Sequence, residues 1–263
     1  MLKLSWWVSF CYKNWLNIPL TIFFNFYSLP LKQAVKLPIW LYGRPKLLEI
    51  SGNIRIDASL IRIGMIKINR SNESAAHSGG NTEIINKSRI TFRGNANIGT
   101  GCRILVYAGE LICGSNIKIN NRNYISCSLS VIIGESTAMG NEIQVSDTDF
   151  HYLFNLQDST VSKNSKPVII GAYNWIGSRT SVMKGTITPE YTTIASNSLL
   201  NKIYQVPNNS ILAGCPAKNI KTGYKRIKQF HEECCISAYF MNNPDENLYF
   251  YNQENIDDAM FHF

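Results

Sequence analysis

Between residues 92 and 200 an apolar position returns every six residues. Ile170, Ile176, Val182, Thr188, Ile194 and Leu200 follow one another at that step. Phe92, Ile98 and Ile104 keep it, as do Cys113, Ile119 and Ile125, and then Ile133, Met139, Val145 and His151. The next slot is often small: Gly99, Gly134, Gly140, Gly171, Gly177 and Ala195. The phase breaks briefly near 107–110 and at 131–132, and for longer over 152–169. A helix repeats every 3.6 residues and a strand every two, so neither produces this pattern. Short strands that turn a corner after about six residues do produce it. One apolar side chain per strand points inward, and the small residue beside it permits the corner. The predicted fold is therefore an all-β solenoid, a parallel β-helix. No coil of such a fold can bury its apolar face alone, so coils stack and the two ends need caps.

The 263 residues divide on this basis into an apolar arm (1–50), the solenoid (51–215, with a loop at 152–169) and a C-terminal segment (216–263). Within the arm, WLNIPLTIFFNFYSLPL (15–31) is strongly apolar. Asn17, Pro19, Asn25 and Pro30 interrupt it, whereas a membrane span needs about 20 mostly apolar residues. The start of the chain has no small-x-small cleavage site. The arm is expected to pack on its own domain or on a neighbouring subunit, with contact along a membrane surface as the alternative. Seven cysteines are an odd number. Cys102, Cys113 and Cys127 fall at wall positions, which suits free core thiols and a reducing, cytoplasmic compartment.

The net charge of +8 is unevenly spread. From residue 229 onward there are seven acidic residues and no Lys or Arg, so residues 1–228 carry +15. No nucleic-acid motif accompanies this charge, and the aromatics crowd the arm and the tail, away from the basic cluster. A phosphorylated small molecule is the better expected partner. No Gly-rich phosphate loop of the P-loop or dinucleotide type is present.

Only four histidines occur: His77, His151, His231 and His262. His151 keeps the six-residue phase at the point where the repeat breaks. A histidine there can project from a rigid wall into a cleft, and imidazole suits general-base work near neutral pH. On the residues alone, a base and a packed or solvated histidine fit equally well. In strand geometry Asp147 and Asp149 point the same way as His151. Either can orient an imidazole, bind acceptor hydroxyls or simply belong to an acidic turn. Trp175 precedes the inward Ile176 and so points outward, offering a flat apolar wall and one N–H donor. Lys218, Lys221, Lys225 and Lys228 are spaced as one basic stripe on a helix, although Gly223 interrupts it.

Residues 166–221, KPVIIGAYNWIGSRTSVMKGTITPEYTTIASNSLLNKIYQVPNNSILAGCPAKNIK, resemble the hexapeptide-repeat acyltransferases. The likeness is to the maltose, galactoside and streptogramin acetyltransferase group, which has a tryptophan before Ile-Gly and a Gly-x-Pro-Ala-Lys near the end. The arm IFFNFYSLPLKQAVKLPIWLYG (22–43) looks like the lead-in of capsule-locus acetyltransferases. The resemblance spans roughly residues 20–228. It implies a left-handed β-helix, homotrimers with active sites between subunits, acetyl-CoA as co-substrate, no metal, and a carbohydrate acceptor. It also implies residue roles. His151 becomes the catalytic base, with Asp149 as its helper, and Trp175 lies near the thioester. The N–H groups of Gly177 and Ser178 stay open to the thioester oxygen. Ala195 and Ser196 flank the pantetheine, and Lys202 and Lys218, ahead of Lys184 and Lys221, reach the nucleotide phosphates. From the residues themselves, Asp147 and Ser126 are expected to contact the acceptor; YISCSLS (124–130), with Ser126, departs from relatives that carry an acceptor-contacting asparagine there, so their acceptor does not carry over. A carbonic anhydrase on the same scaffold needs three histidines around zinc, and His151 has no partner at such a spacing. A scaffold that has lost activity, an antibiotic or small-sugar acceptor, and a route through an acylated cysteine are the alternatives. The expected site of action is the cytoplasm or the inner face of the membrane.

Overall fold

The computed structural model describes residues 15–70 and 80–251. Among them, short parallel strands stack into three sheets of nine, seven and five strands. The chain passes through the sheets in turn, which makes it a parallel β-helix with three walls.

The inward positions form vertical ladders. In the nine-stranded wall Ile98, Ile119, Met139, Ile176, Ile194 and Leu212 lie in register. In the seven-stranded wall the ladder is Ile84, Ile104, Ile125, Val145, Val182 and Leu200. Phe92, Cys113, Ile133 and Ile170 line the third. All of these side chains are buried, so the six-residue period is the spacing between successive walls. The strict eighteen-residue coil occurs only late, from Trp175 to Thr193 to Ile211. Earlier coils are longer, as from Ala96 to Ile117; the extra residues at 107–109 sit at a corner, whereas Val131 and Ile132 lie within the wall strand Ser130–Ile133.

Two corners carry columns of left-handed backbone. Asn116, Ser136, Tyr173, Tyr191 and Asn209 have φ between 50° and 61°, and Arg122, Glu142, Arg179 and Asn197 between 58° and 60°. Such φ values are uncommon outside glycine, and here neighbouring coils hold them by cross-coil hydrogen bonds such as Tyr191 N–H to Ala172 O, 2.9 Å. In the second column Glu142 is clasped by Arg122 and by Arg179, the latter at 3.0 Å. Coils approach closely at the glycines: a Cβ on Gly134 would lie 2.4 Å from the Ala172 nitrogen.

The solenoid begins earlier than the expected boundary at residue 51. Strand Ile39–Leu41 already pairs with Ile66–Ile68. The sequence signal fails there because the first coils run to 27 and 30 residues, which breaks the six-residue phase. Residues 71–79, which include His77, lie outside the described residues.

Helix α1 (Ile18–Ser28) closes this open end. Pro19 suits its first turn, and the Asn17 side chain accepts the Leu20 N–H at 3.1 Å. Its inner face is partly polar: Thr21 and Asn25 are buried beside Phe24. The reason is the edge strand Ile39–Leu41, whose outer peptide groups need partners. Asn25 accepts the Ile39 N–H at 3.1 Å and donates to the Ile39 carbonyl at 2.6 Å. Thr21 Oγ1 accepts the Leu41 N–H at 3.0 Å, and the Asn17 N–H reaches the Leu41 carbonyl at 2.9 Å. A short helix α2 (Leu31–Ala34) follows. The arm thus packs on its own domain.

At the other end, Ser210–Gly214 and Ala217–Thr222 form an antiparallel hairpin on the nine-stranded sheet. The expected basic helix over 218–228 is therefore not formed. Lys218 and Lys221 are in a strand, and Gly223 turns the chain with φ of 88°. Helix α3 runs instead over Phe230–Asn242 and has no buried residue. Among the described residues no helix is long and apolar enough to cross a membrane.

Asn25→Ala leaves the Ile39 N–H and carbonyl without partners in a buried setting. The expected loss is about 2–4 kcal/mol, seen as a lower denaturant midpoint. An unchanged midpoint would contradict the capping role.

Candidate active site

The excursion that breaks the repeat starts with a buried carboxylate. Asp147 is completely buried. Its Oδ1 accepts the Ser128 N–H at 2.8 Å, and its Oδ2 accepts those of Leu129 and Ser130 at 2.7 Å each. It therefore satisfies the corner of the coil before it. Thr148 bridges to Ser165, and between them the chain leaves the wall for a small hairpin, Phe154–Asn155 with Thr160–Val161.

This geometry corrects the expected role of Asp147 as an acceptor contact. Both oxygens are engaged, so no face remains for a substrate hydroxyl. Ser126 is corrected likewise: it is fully buried between Leu105 and Ser146 of adjacent coils. His151 also differs from its expected wall position. The wall ends at Thr148, Phe150 takes φ of 63°, and His151 emerges exposed at the start of the loop. Its own N–H donates to the Asp149 carbonyl at 2.7 Å.

The Asp149 carboxylate pairs with Lys184 Nζ at 2.5 Å. Among the described residues no hydrogen bond reaches the His151 imidazole, from Asp149 or any other group. Lys184, expected among the phosphate-binding cations, is thus tied to the loop start from the next coil. Nothing in the local sequence announces that pair, because its members are 35 residues apart.

The expected donor-binding residues lie on the nine-stranded wall and at its corners, except Lys202, which follows the seven-stranded wall. Trp175 pairs in register with Ala138 and Thr193 and is 41% exposed, so its indole does point outward. Gly177 needs correction as an oxyanion donor: its N–H is already given to the Ile194 carbonyl at 2.8 Å. Gly177 is instead required by packing, since a Cβ would meet the Ser196 nitrogen at 2.5 Å. Ser178 Oγ accepts the Asn141 N–H at 3.1 Å, and Ala195 donates its N–H to Leu212 O at 2.9 Å. Ser196 is exposed at the corner one coil beyond Ser178. Lys202 is exposed with its Nζ 5.5 Å from the Tyr204 ring centre, and Lys218 is exposed on the terminal hairpin. The Trp175 strand and the strand leading to His151 belong to different walls.

Sequence reasoning missed the covering of Trp175. The segment after the hairpin returns along the corner with its cations on aromatic rings. Arg226 lies 4.5 Å over Trp175, Lys225 4.8 Å over Tyr191 and Lys228 4.8 Å over Tyr173. Tyr173 and Tyr191 stack at 4.6 Å. Lys228 also donates to the Ser136 carbonyl at 3.1 Å. Burial, with help from Arg226 and Lys225, lowers its pKa to about 8. The cation contacts join residues 34 to 92 positions apart, so no local pattern signals them.

The thiols of Cys102, Cys113 and Cys127 are free and buried. Burial pushes each up to about 12, which removes them as nucleophiles. Among the described residues no cluster of three His, Cys, Asp or Glu side chains is placed to hold a metal.

The sequence matches no family model. It is 30% identical over 148 residues to the "Putative lipopolysaccharide biosynthesis O-acetyl transferase WbbJ" of Escherichia coli, covering 52% of this chain and 74% of that protein. The chain belongs to the hexapeptide-repeat O-acetyltransferases. A second relative of this O-acetyltransferase, the galactoside O-acetyltransferase of Escherichia coli, is 26% identical over 124 residues, 45% of this chain and 60% of that one. Among solved structures, the polySia specific acetyltransferase NeuO has a TM-score of 0.41 at 19% identity, over 78% of this chain and 99% of that chain. A likeness this loose bears on neither substrate nor mechanism.

Asp147→Asn places an amide against three N–H donors in a dry corner. We expect a loss of about 2–4 kcal/mol of stability, measured by denaturant unfolding, with the acceptor KM of the surviving folded enzyme unchanged. A raised acceptor KM at unchanged stability would restore Asp147 to the substrate site.

Proposed function

We propose that this O-acetyltransferase moves the acetyl group of acetyl-CoA to a hydroxyl of a sugar in a cell-surface polysaccharide or its precursor. The observation that carries the reading is the relationship to the lipopolysaccharide biosynthesis O-acetyl transferase. The donor thioester supplies the activated acyl group, and the acceptor hydroxyl is a poor nucleophile until its proton is removed.

His151 is the proposed base. Its exposed imidazole stands at the edge of the wall, with the backbone on its N-terminal side anchored by Asp147 and the Asp149–Lys184 pair. The imidazole takes the hydroxyl proton while the oxygen attacks the thioester carbonyl. The tetrahedral intermediate then collapses, the C–S bond breaks, and the proton passes to the departing thiolate. Asp149 is assigned to holding the loop start, acting on His151 through position. Trp175 is the proposed wall for the acyl end of the donor, with Gly177, Ser178, Ala195 and Ser196 along the pantetheine. Of these, Ser178 is the candidate N–H donor to the oxyanion, since no partner for its N–H is found among the described residues. Lys202 and Lys218 are the proposed phosphate contacts. Gly177 contributes by permitting close stacking.

The active unit is proposed to be a homotrimer with the site between subunits. The separation of His151 and Trp175 onto different walls supports this. So does the loop after His151, which exposes Tyr152, Leu153, Phe154 and Leu156. Apolar groups grouped in this way normally meet a partner surface. Acetyl-CoA as donor sets the proposed place of action in the cytoplasm.

The test is acceptor-dependent release of coenzyme A thiol across sugars, nucleotide sugars and surface-polysaccharide oligomers. His151→Ala should lower kcat about a hundredfold or more, and Trp175→Ala should raise the acetyl-CoA KM. Activity that survives the histidine change assigns the base elsewhere; an unchanged donor KM removes Trp175 from the site.

A further inference from the structure

Helix α1 has its polarity reversed. Its buried face spends Thr21 and Asn25 on capping the edge strand, and its outer face is apolar. Ile22, Phe23, Phe26 and Tyr27 are each 43–57% exposed, and Leu31 and Val35 beyond them are 68% and 59% exposed. Phe23 and Tyr27 stack at 5.5 Å and form one continuous aromatic surface. A helix facing water would carry its polar residues outward, and here the capping demand has drawn them inward.

The charge around this face is one-sided. Lys32 and Lys36 are exposed between and beside Leu31 and Val35. The first acidic residue of the chain is Glu49, and six Lys or Arg precede it: Lys3, Lys13, Lys32, Lys36, Arg44 and Lys46. The carboxylates nearest the cap are already paired, Glu49 with Lys87, Asp57 with Arg55 and Glu83 with Lys46. Two copies meeting through this face by a two-fold axis would bring like charge against like charge.

We propose that the outer face of α1 and α2 docks on an anionic lipid bilayer. The aromatic and aliphatic side chains would enter the headgroup boundary, where Phe, Tyr and Trp rings are favoured, while Lys32 and Lys36 meet lipid phosphates. Helix α1, at eleven residues, is far too short to span and lies flat. The capping bonds of Asn25 and Thr21 hold it rigidly on the solenoid, so docking orients the whole enzyme. This inference stands on the arm alone and is independent of the acceptor assigned above.

The test is co-sedimentation of the full chain with phosphatidylcholine vesicles, with and without phosphatidylglycerol. Partitioning should rise about tenfold or more with the anionic lipid and fall as salt is added. The double change Phe23→Ser and Phe26→Ser should lower partitioning about tenfold or more on the anionic vesicles. Lys32→Glu with Lys36→Glu should abolish the preference for phosphatidylglycerol. All four positions are exposed, and an unchanged melting temperature verifies the fold of each variant. Wild-type protein that stays in the supernatant, or a phenylalanine variant that binds as well as wild type, overturns the proposal. So does a drop in solution mass of the phenylalanine variant without vesicle binding by wild type, which assigns the face to a second copy.

Discussion

The interior of the solenoid holds only one or two buried apolar side chains per wall per coil, as Ile176 or Val131 with Ile133. The ladders through Ile176 and Val182 supply its apolar core, and each ladder depends on the coils stacking in register. Register in turn depends on the corners. Tyr173 and Tyr191 hold left-handed backbone because cross-coil hydrogen bonds fix them there, and Gly134 and Gly177 are small because the next coil lies against them. A slip of one residue would turn the ladder outward. The capping helix answers the same constraint at the open end, where Asn25 replaces the missing coil with two hydrogen bonds to Ile39.

The proposed chemistry uses the one place where stacking is interrupted. Asp147 completes the preceding corner, which lets the chain leave the wall without leaving orphaned N–H groups behind. His151 follows within four residues, and Lys184 of the next coil clamps Asp149 beside it. A base placed there has a rigid foundation and an exposed tip. The indole of Trp175 is fixed on another wall by the same ladders, and Arg226 covers one of its faces. The C-terminal segment is thereby part of the surface on which the donor is proposed to lie.

The repeat itself was open to reading because one side chain in six must be apolar and its neighbour small. Ile170 through Leu200 announce both period and walls, whereas the excursion expected at 152–169 leaves the wall after Thr148, and Val168 and Ile169 already belong to a wall strand. The first coils were hidden, since Ile39 and Ile66 are separated by a length unrelated to six. Polar roles were legible only in part. Asp147 and Asp149 share a strand parity, yet one is sealed in a corner and the other is paired across coils; burial and long-range partners decide this, and neither is encoded locally. The helix expected over Lys218–Lys228 fails for a related reason: the last sheet edge recruits Ala217–Thr222 as a strand. Arg226 over Trp175 carries no periodic signature at all.

The central claim is that His151 and the Trp175 wall act together across a subunit boundary. The most direct measurement mixes His151→Ala subunits with Trp175→Ala subunits, after reversible dissociation, and assays the hybrids at low acetyl-CoA. A shared site joins the intact histidine of one subunit to the intact tryptophan of the other, so the hybrids should be far more active than either parent. Activity no greater than the average of the two parents would contradict the account and place both residues in sites formed within single chains.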